Sequence, residues 1–400
     1  MDFNEFIKEY EFHDPNVLRL SLDKKKFDFD LDLALIQIEC RKKHRSKFKN
    51  FIQDNTFLFP EGLSAEQASH QAIARFHASL VGTNNKVLDI SAGLGIDSFS
   101  FSMENNSVTA IELNSRKADF LKLNAKNLGL QNITVINTDS ILYLKETSGH
   151  FNIIFADPAR RDSSNQRLHN LRDCSPDVIG NLDLLKNKGD KIFIKASPLL
   201  DIVQTVKDFS DVIAVRAVGV KGECKEILIE IDSEMSKLSP GQLVLEAVNL
   251  DEEGIINSSF SVKGIVPDIF QKLINNEEYA LVEDLKPGAY ILEPSAMLMK
   301  IAPWPEIITK FKAKKFGKSS NVFITEEKPV DFPGRVTQLI KIIKKQDRKS
   351  LEGFPASVVS RNYPLSSETL RKSLKLKEGD NHFVYGTKVE DKPILLLTKR

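Results

Sequence analysis

The residues best suited to chemistry stand between positions 89 and 162. Asp89-Ile90-Ser91-Ala92-Gly93-Leu94-Gly95-Ile96-Asp97 follows a short β-branched run and precedes a helical pattern from Ser98 to Met103. Small residues at such a strand-to-helix turn let the backbone approach a ligand at the carboxyl end of the strand. Acidic Asp97 opens the helix, and Ser98 stands where a dinucleotide-binding turn has its third glycine, so a ligand without phosphates is favoured. Glu112 ends the next run 17 residues after Gly95, with Leu113 beside it, where a carboxylate can accept both hydroxyls of a ribose. Asp139 and Ser140 follow the third run. Asp139 admits two readings there, an acceptor for an exocyclic amine or a cap on the helix that follows. The fourth run ends in Asp157-Pro158-Ala159-Arg160-Arg161-Asp162.

Five strands must carry these groups: Lys86 to Ile90, Ser107 to Glu112, Asn132 to Asn137, Phe151 to Ala156 and Lys191 to Lys195. Helical stretches between them argue for an α/β fold with a parallel, doubly wound sheet. Val212 to Val220 and Glu226 to Ile231 are joined by a link too short for a crossover helix, which predicts a closing antiparallel hairpin. Upstream, Leu31, Leu35, Ile38 and later Ala68, Ala72, Phe76, Leu80 repeat at helical spacing, so residues 1–80 read as a helical region. Ser64 is expected to cap a helix there, with Gln67 completing a capping box. The sheet domain takes residues 81–233. A polar linker, Ser233 to Gly241, leads to a small α+β domain over 240–326 and a last one over 330–400. The terminal run Pro393 to Thr398 reads as an edge strand.

In this order the glycine turn, Glu112, Asp139, Asp157-Pro158-Ala159-Arg160 and the closing hairpin resemble a class I S-adenosylmethionine-dependent methyltransferase over roughly Glu66 to Ile231. The resemblance implies a seven-stranded Rossmann-like sheet with a reversed last strand. It also implies S-adenosylmethionine as cofactor, held by Asp89, Ser91, Ala92, Gly93, Gly95, Asp97, Glu112, Leu113, Asp139 and Ser140. Glu66 and Gln67 lie on the helix that closes over the cofactor in several RNA methyltransferases; they are candidate wall residues, a reading of equal weight with the purely structural capping role of Ser64 and Gln67. Asp157, Pro158 and Arg160 are the implied catalytic positions. Proline fixes the backbone there, and a carbonyl and a carboxylate can accept a hydrogen bond from an attacking amine. Ala159 and Arg160 depart from the Asp/Asn-Pro-Pro-aromatic form of amino-methylating enzymes. The Asp-Pro-Ala-Arg form is similar to RNA uridine-5 methyltransferases, but no cysteine follows the fifth strand at Lys195-Ala196-Ser197-Pro198. The segment Val359 to Leu376 is similar to the THUMP-like domain of a bacterial methyltransferase group, in which a ferredoxin-like part precedes it and THUMP domains elsewhere bind structured RNA.

Composition sets the class of partner. With 56 basic and 55 acidic residues the net charge is +1, so only local patches can attract a polyanion. Arg41 to Lys49, Lys310 to Lys318 and Lys341 to Lys349 are such patches, the first two interleaved with Phe48, Phe51, Phe311 and Phe316, a pattern that favours RNA. The three cysteines, Cys40, Cys174 and Cys224, are far apart and form no ligand or disulfide set, which suits a reducing cytoplasm. No histidine group has metal-ligand spacing, and no apolar run suggests a membrane span. The expected activity is RNA methylation on a tRNA or rRNA base. Its rivals are a nicotinamide-dependent oxidoreductase, a methyltransferase of a protein or small molecule, and an RNA-binding protein with a vestigial pocket.

Overall fold

A computed structural model describes residues 1–53, 56–159, 171–209, 211–234, 242–265 and 278–400. Two compact units divide the chain: residues 1–241 with 249–257, and residues 242–248 with 258–400.

The first unit opens with helices α1 (Phe3–Tyr10), α2 (Pro15–Ser21), α3 (Leu31–Lys43), α4 (Gly62–Gln67) and α5 (Gln71–Val81). Strands and helices then alternate: β1 (Lys86–Asp89), α6 (Ile96–Met103), β2 (Ser107–Ile111), α7 (Ser115–Asn127), β3 (Ile133–Ile136) and α8 (Ser140–Glu146). They continue with β4 (Phe151–Ala156), α9 (Leu182–Lys188), β5 (Gly189–Ala196), α10 (Ile202–Asp208), β6 (Val212–Val220) and β7 (Glu223–Asp232). β1 pairs in parallel with both β2 and β4, β2 with β3, and β4 with β5. β7 inserts antiparallel between β5 and β6, giving the order β3-β2-β1-β4-β5-β7-β6. The reversal follows from the two-residue link Lys221-Gly222, both residues at positive φ, which allows only a tight turn. At the β6 edge Lys221 N–H donates to Leu250 O at 3.2 Å, so the sheet extends past the seven strands expected.

Burial explains why these segments fold so. Val87, Leu88, Ile154, Phe155, Ile192, Ile194, Ile227 and Ile229 are almost fully buried, as strands covered on both faces require. The helical opening is not an independent domain. Phe48, Phe57 and Phe59 share one core cluster with Leu94, Ile96, Phe99 and Leu121 around the glycine turn. One capping expectation fails. Ser64 lies inside α4, whose N-cap is Glu61, and its hydroxyl donates to Glu61 Oε1 at 3.0 Å. Glu61, extended at φ −165°, starts the helix directly after Pro60.

The second unit contains most of β8 (Gln242–Leu250) and β9 (Ile256–Ile265), then β10 (Tyr290–Pro294), α11 (Ala296–Ile301), α12 (Trp304–Phe311), β11 (Lys314–Gly317) and β12 (Ser320–Thr325). It ends with β13 (Gly334–Ile342), β14 (Ser357–Ser360), α13 (Ser367–Ser373), β15 (His382–Val389) and β16 (Lys392–Lys399). One sheet, β11-β12-β10-β13-β16-β15-β14, contains strands from both sides of the boundary expected near residue 330. β16 is not an edge strand. Residues Leu396–Lys399 pair with β13 while the whole strand pairs with β15, and Pro393 stands outside the β13 pairing, where its missing N–H is not required.

Candidate active site

The carboxyl ends of the parallel strands open into a cavity of about 880 Å³. That is enough room for a nucleoside-sized ligand. Every predicted site residue except Arg160 lines it, including Glu66, Gln67, Leu113, Ser140 and Pro158; Arg160 lies outside the described residues.

The glycine turn is shaped by its own backbone. Gly93 and Gly95 have φ of +55° and +88°, and a Cβ on Gly95 would stand 2.1 Å from Leu121 Cδ1. Below the turn, Asp89 is buried and its carboxylate accepts from Ser91 N–H at 3.0 Å and Ser98 Oγ at 2.5 Å. Ser98 therefore serves this turn as a hydrogen-bond donor to the strand end, in place of a close-packing glycine. Burial pushes the Asp89 carboxyl up to about 7, against the pull of those two bonds. On the far side, Glu112 accepts from Gly93 N–H at 2.9 Å and from Asn114 N–H at 2.7 Å, which ties the acid at the end of β2 to the turn. Asp139 does cap α8, accepting from Leu142 N–H at 2.8 Å, and it also faces the cavity. Its two readings are thus compatible. The walls combine Asp89, Asp97, Glu112, Asp139 and Asp157 with Lys117, a poor setting for a pyrophosphate and a fitting one for a cationic nucleoside.

Behind Asp157 runs a buried polar cluster that sequence reasoning missed. Lys195 Nζ, at the end of β5, donates to Asp157 Oδ2 at 2.6 Å and to Ser69 Oγ at 2.8 Å. Ser69 donates in turn to Asp97, whose other oxygen meets His77 Nδ1 at 2.8 Å; His77 Nε2 meets Glu226 Oε1 at 2.6 Å. Burial alone would lower the His77 pKa, but Glu226 and Asp97, one at each ring nitrogen, push it up to about 9. The ring is therefore an imidazolium at neutral pH. Burial opposes the Lys195 charge as well, and Asp157, Glu226 and Asp97 together hold its pKa above the usual lysine value. Asp97 is held below the usual carboxylate range, its burial outweighed by the His77 hydrogen bond and charge.

In the first basic patch Arg41 and Lys47 turn inward, while Lys42, Lys43, Arg45 and Lys49 stay exposed. Arg41 is buried and donates to Phe57 O at 2.6 Å, while Phe48 and Phe51 are core residues. Lys47 Nζ donates to Ala65 O at 2.9 Å and Glu66 O at 2.7 Å, pinning the end of α4 beside the cavity. Burial, assisted by the charge of Lys195, pushes the Lys47 amine down to about 7. In the second patch Phe311, Phe316 and Lys315 are buried, and Lys312 and Lys314 pair with Glu327 and Asp284 at 2.9 and 2.8 Å, while Lys310, Lys312 and Lys318 remain exposed. In the third, Lys341 pairs with Asp347 at 3.0 Å. Aromatic side chains at amphipathic spacing pack inward, so none of these four phenylalanines offers a stacking platform.

Among the described residues no group of His, Cys, Asp and Glu is arranged to hold a metal, and no helix is long and apolar enough to cross a membrane.

Residues 65–175 match the family described as conserved hypothetical protein 95, and residues 335–400 the family described as THUMP domain-like. A crystal structure of a candidate methyltransferase from Porphyromonas gingivalis W83 covers 100% of this chain and 97% of its own, with a TM-score of 0.84 at 24% identity. The two chains share a fold. An uncharacterized RNA methyltransferase of Mycoplasma mobile is 26% identical over 148 residues, 36% of this chain and 40% of the relative. This chain therefore spans well under half the length of that relative.

Proposed function

We propose that this chain, a class I methyltransferase fold followed by a THUMP-like segment, is an S-adenosylmethionine-dependent methyltransferase acting on RNA. The observation that carries the reading is the acidic cavity of about 880 Å³ at the strand ends, bordered by the glycine turn and by Glu112. Bound there, the cofactor would supply an electrophilic methyl group on a positively charged sulfur. Glu112 would hold the ribose hydroxyls, exchanging its bonds to the turn for them. Asp139 would face the base, and Asp157 would align the attacking atom through Oδ1, since Oδ2 is already engaged by Lys195. Fixed in place by Lys195, this carboxylate has the task of orienting the acceptor and favouring it electrostatically.

RNA as acceptor is supported by the THUMP-like match and by the name of the Mycoplasma mobile relative. Contacts to phosphate would come from the exposed members of the basic runs, among them Lys43, Arg45, Lys49 and Lys312. The wide spacing of the three cysteines in the sequence supports a reducing cytoplasm as the location. Nucleoside mass spectrometry of total RNA from cells with and without the gene tests the reading. One methylated nucleoside is expected to disappear with the gene, and identical nucleoside profiles would turn the search to protein or small-molecule acceptors.

A further inference from the structure

The hydrogen-bonded cluster behind the cavity does not balance its own charge. It holds three carboxylates, Asp97, Asp157 and Glu226, against two cations, His77 and Lys195. Glu226 is 1% exposed, and its Oε2 receives no hydrogen bond from the described residues; Lys195 Nζ lies 3.9 Å away. Two further groups bear on the count. Asp89, beneath the turn, adds negative charge as pH rises through about 7. Lys47, the other cation close by, is committed to the carbonyls of Ala65 and Glu66. A buried excess of one negative charge is costly unless something supplies the missing cation. Two of the three carboxylates, Asp97 and Asp157, line the cavity.

We infer that the cluster is a counter-charge for the sulfonium of the methyl donor, so that the site favours the cationic donor over its neutral thioether product. The inference rests on the methyltransferase reading and adds to it a specific role for residues outside the glycine turn. Asp157 and Asp97 present the excess charge to the ligand. Lys195 and His77 limit that excess to a single charge, Lys195 by its bond to Asp157 and His77 by its bond to the buried Asp97. A donor-selective site of this kind also disfavours retention of the product, because the thioether leaves the deficit unfilled.

Calorimetric titration of the full chain with S-adenosylmethionine and with S-adenosylhomocysteine separates the possibilities without any acceptor. Asp157→Asn keeps the shape of the side chain and removes one negative charge; it is expected to lower the affinity ratio of donor to product by about tenfold or more, as loss of a unit charge in a partly desolvated site implies. Lys195→Met removes one positive charge and is expected to raise the same ratio. Opposite shifts from two residues in contact would not arise from a merely structural role. Should Lys195→Met fail to fold, Asp157→Asn decides alone. An unchanged ratio in folded Asp157→Asn would overturn the inference while leaving the methyltransferase reading intact. An equal change for both ligands would likewise overturn it, assigning the cluster to the amino group they share. Failure of the parent to bind either ligand would remove the function and the inference together.

Discussion

His77 shows how far a single side chain can depend on its neighbours. It lies on the apolar face of α5 and from sequence is indistinguishable from a satisfied core histidine, because Asp97 and Glu226 are 20 and 149 residues away. Its pKa in the folded chain, about 9, exceeds the value near 6.5 of an unfolded histidine. A raised pKa stabilises the fold fully below the unfolded value, and that contribution is lost as pH rises through the folded one. Between pH 6.5 and 9 the parent is therefore expected to lose about 2 to 3 kcal/mol that His77→Gln does not lose. Denaturant unfolding of both proteins across that range measures the difference. Equal pH slopes would mean that the ring is neutral in the fold. Asp89, Glu112 and Asp157 were legible because each ends a strand, whereas Ser69, His77 and Glu226 were not, since their partners come from distant elements.

At the scale of elements, the turn between β1 and α6 is tightly constrained. Gly95 combines φ of +88° with contacts that a Cβ would make at 2.1 Å to Leu121 and 2.8 Å to Phe99. Gly93, at φ +55°, has only Ser91 O at 3.9 Å in that direction. Gly95→Ala is expected to cost about 2 kcal/mol or more, from strain and overpacking together, and Gly93→Ala about 1 kcal/mol from backbone strain alone. Chemical denaturation ranks the two. A Gly95→Ala protein as stable as the parent would show that the turn relaxes without resistance. Strand positions were readable from short β-branched runs, and the reversed β7 from the brevity of its link to β6. Helix starts were less so: with Ser64, Glu66 and Gln67 so close together, the pattern of a capping box arose inside a helix whose start is set by the extended Glu61 after Pro60.

For the whole molecule, burial decides between the charge patterns that sequence alone left open. Basic runs at 41–49 and 310–318 looked like nucleic-acid surfaces, yet Arg41, Lys47 and Lys315 spend their charge on backbone carbonyls and the intervening phenylalanines fill cores. A linear sequence cannot show which side of an amphipathic helix or strand turns inward when aromatic and basic residues alternate. Similarly, residues 240–326 and 330–400 were read apart because prolines punctuate the chain, while β10 and β13 pair across that boundary over Tyr290 to Pro294. The central claim joins the site to its acceptor, and one assay addresses it: transfer of a tritiated methyl group from saturating S-adenosylmethionine into total RNA from cells lacking the gene, by parent and by Asp157→Ala. The parent is expected to label the RNA, and Asp157→Ala to do so at a turnover lower by about 10² or more, the scale on which misplacing the reacting atoms acts. Label absent from RNA with folded, donor-binding parent, or equal turnover by the two proteins, would contradict it.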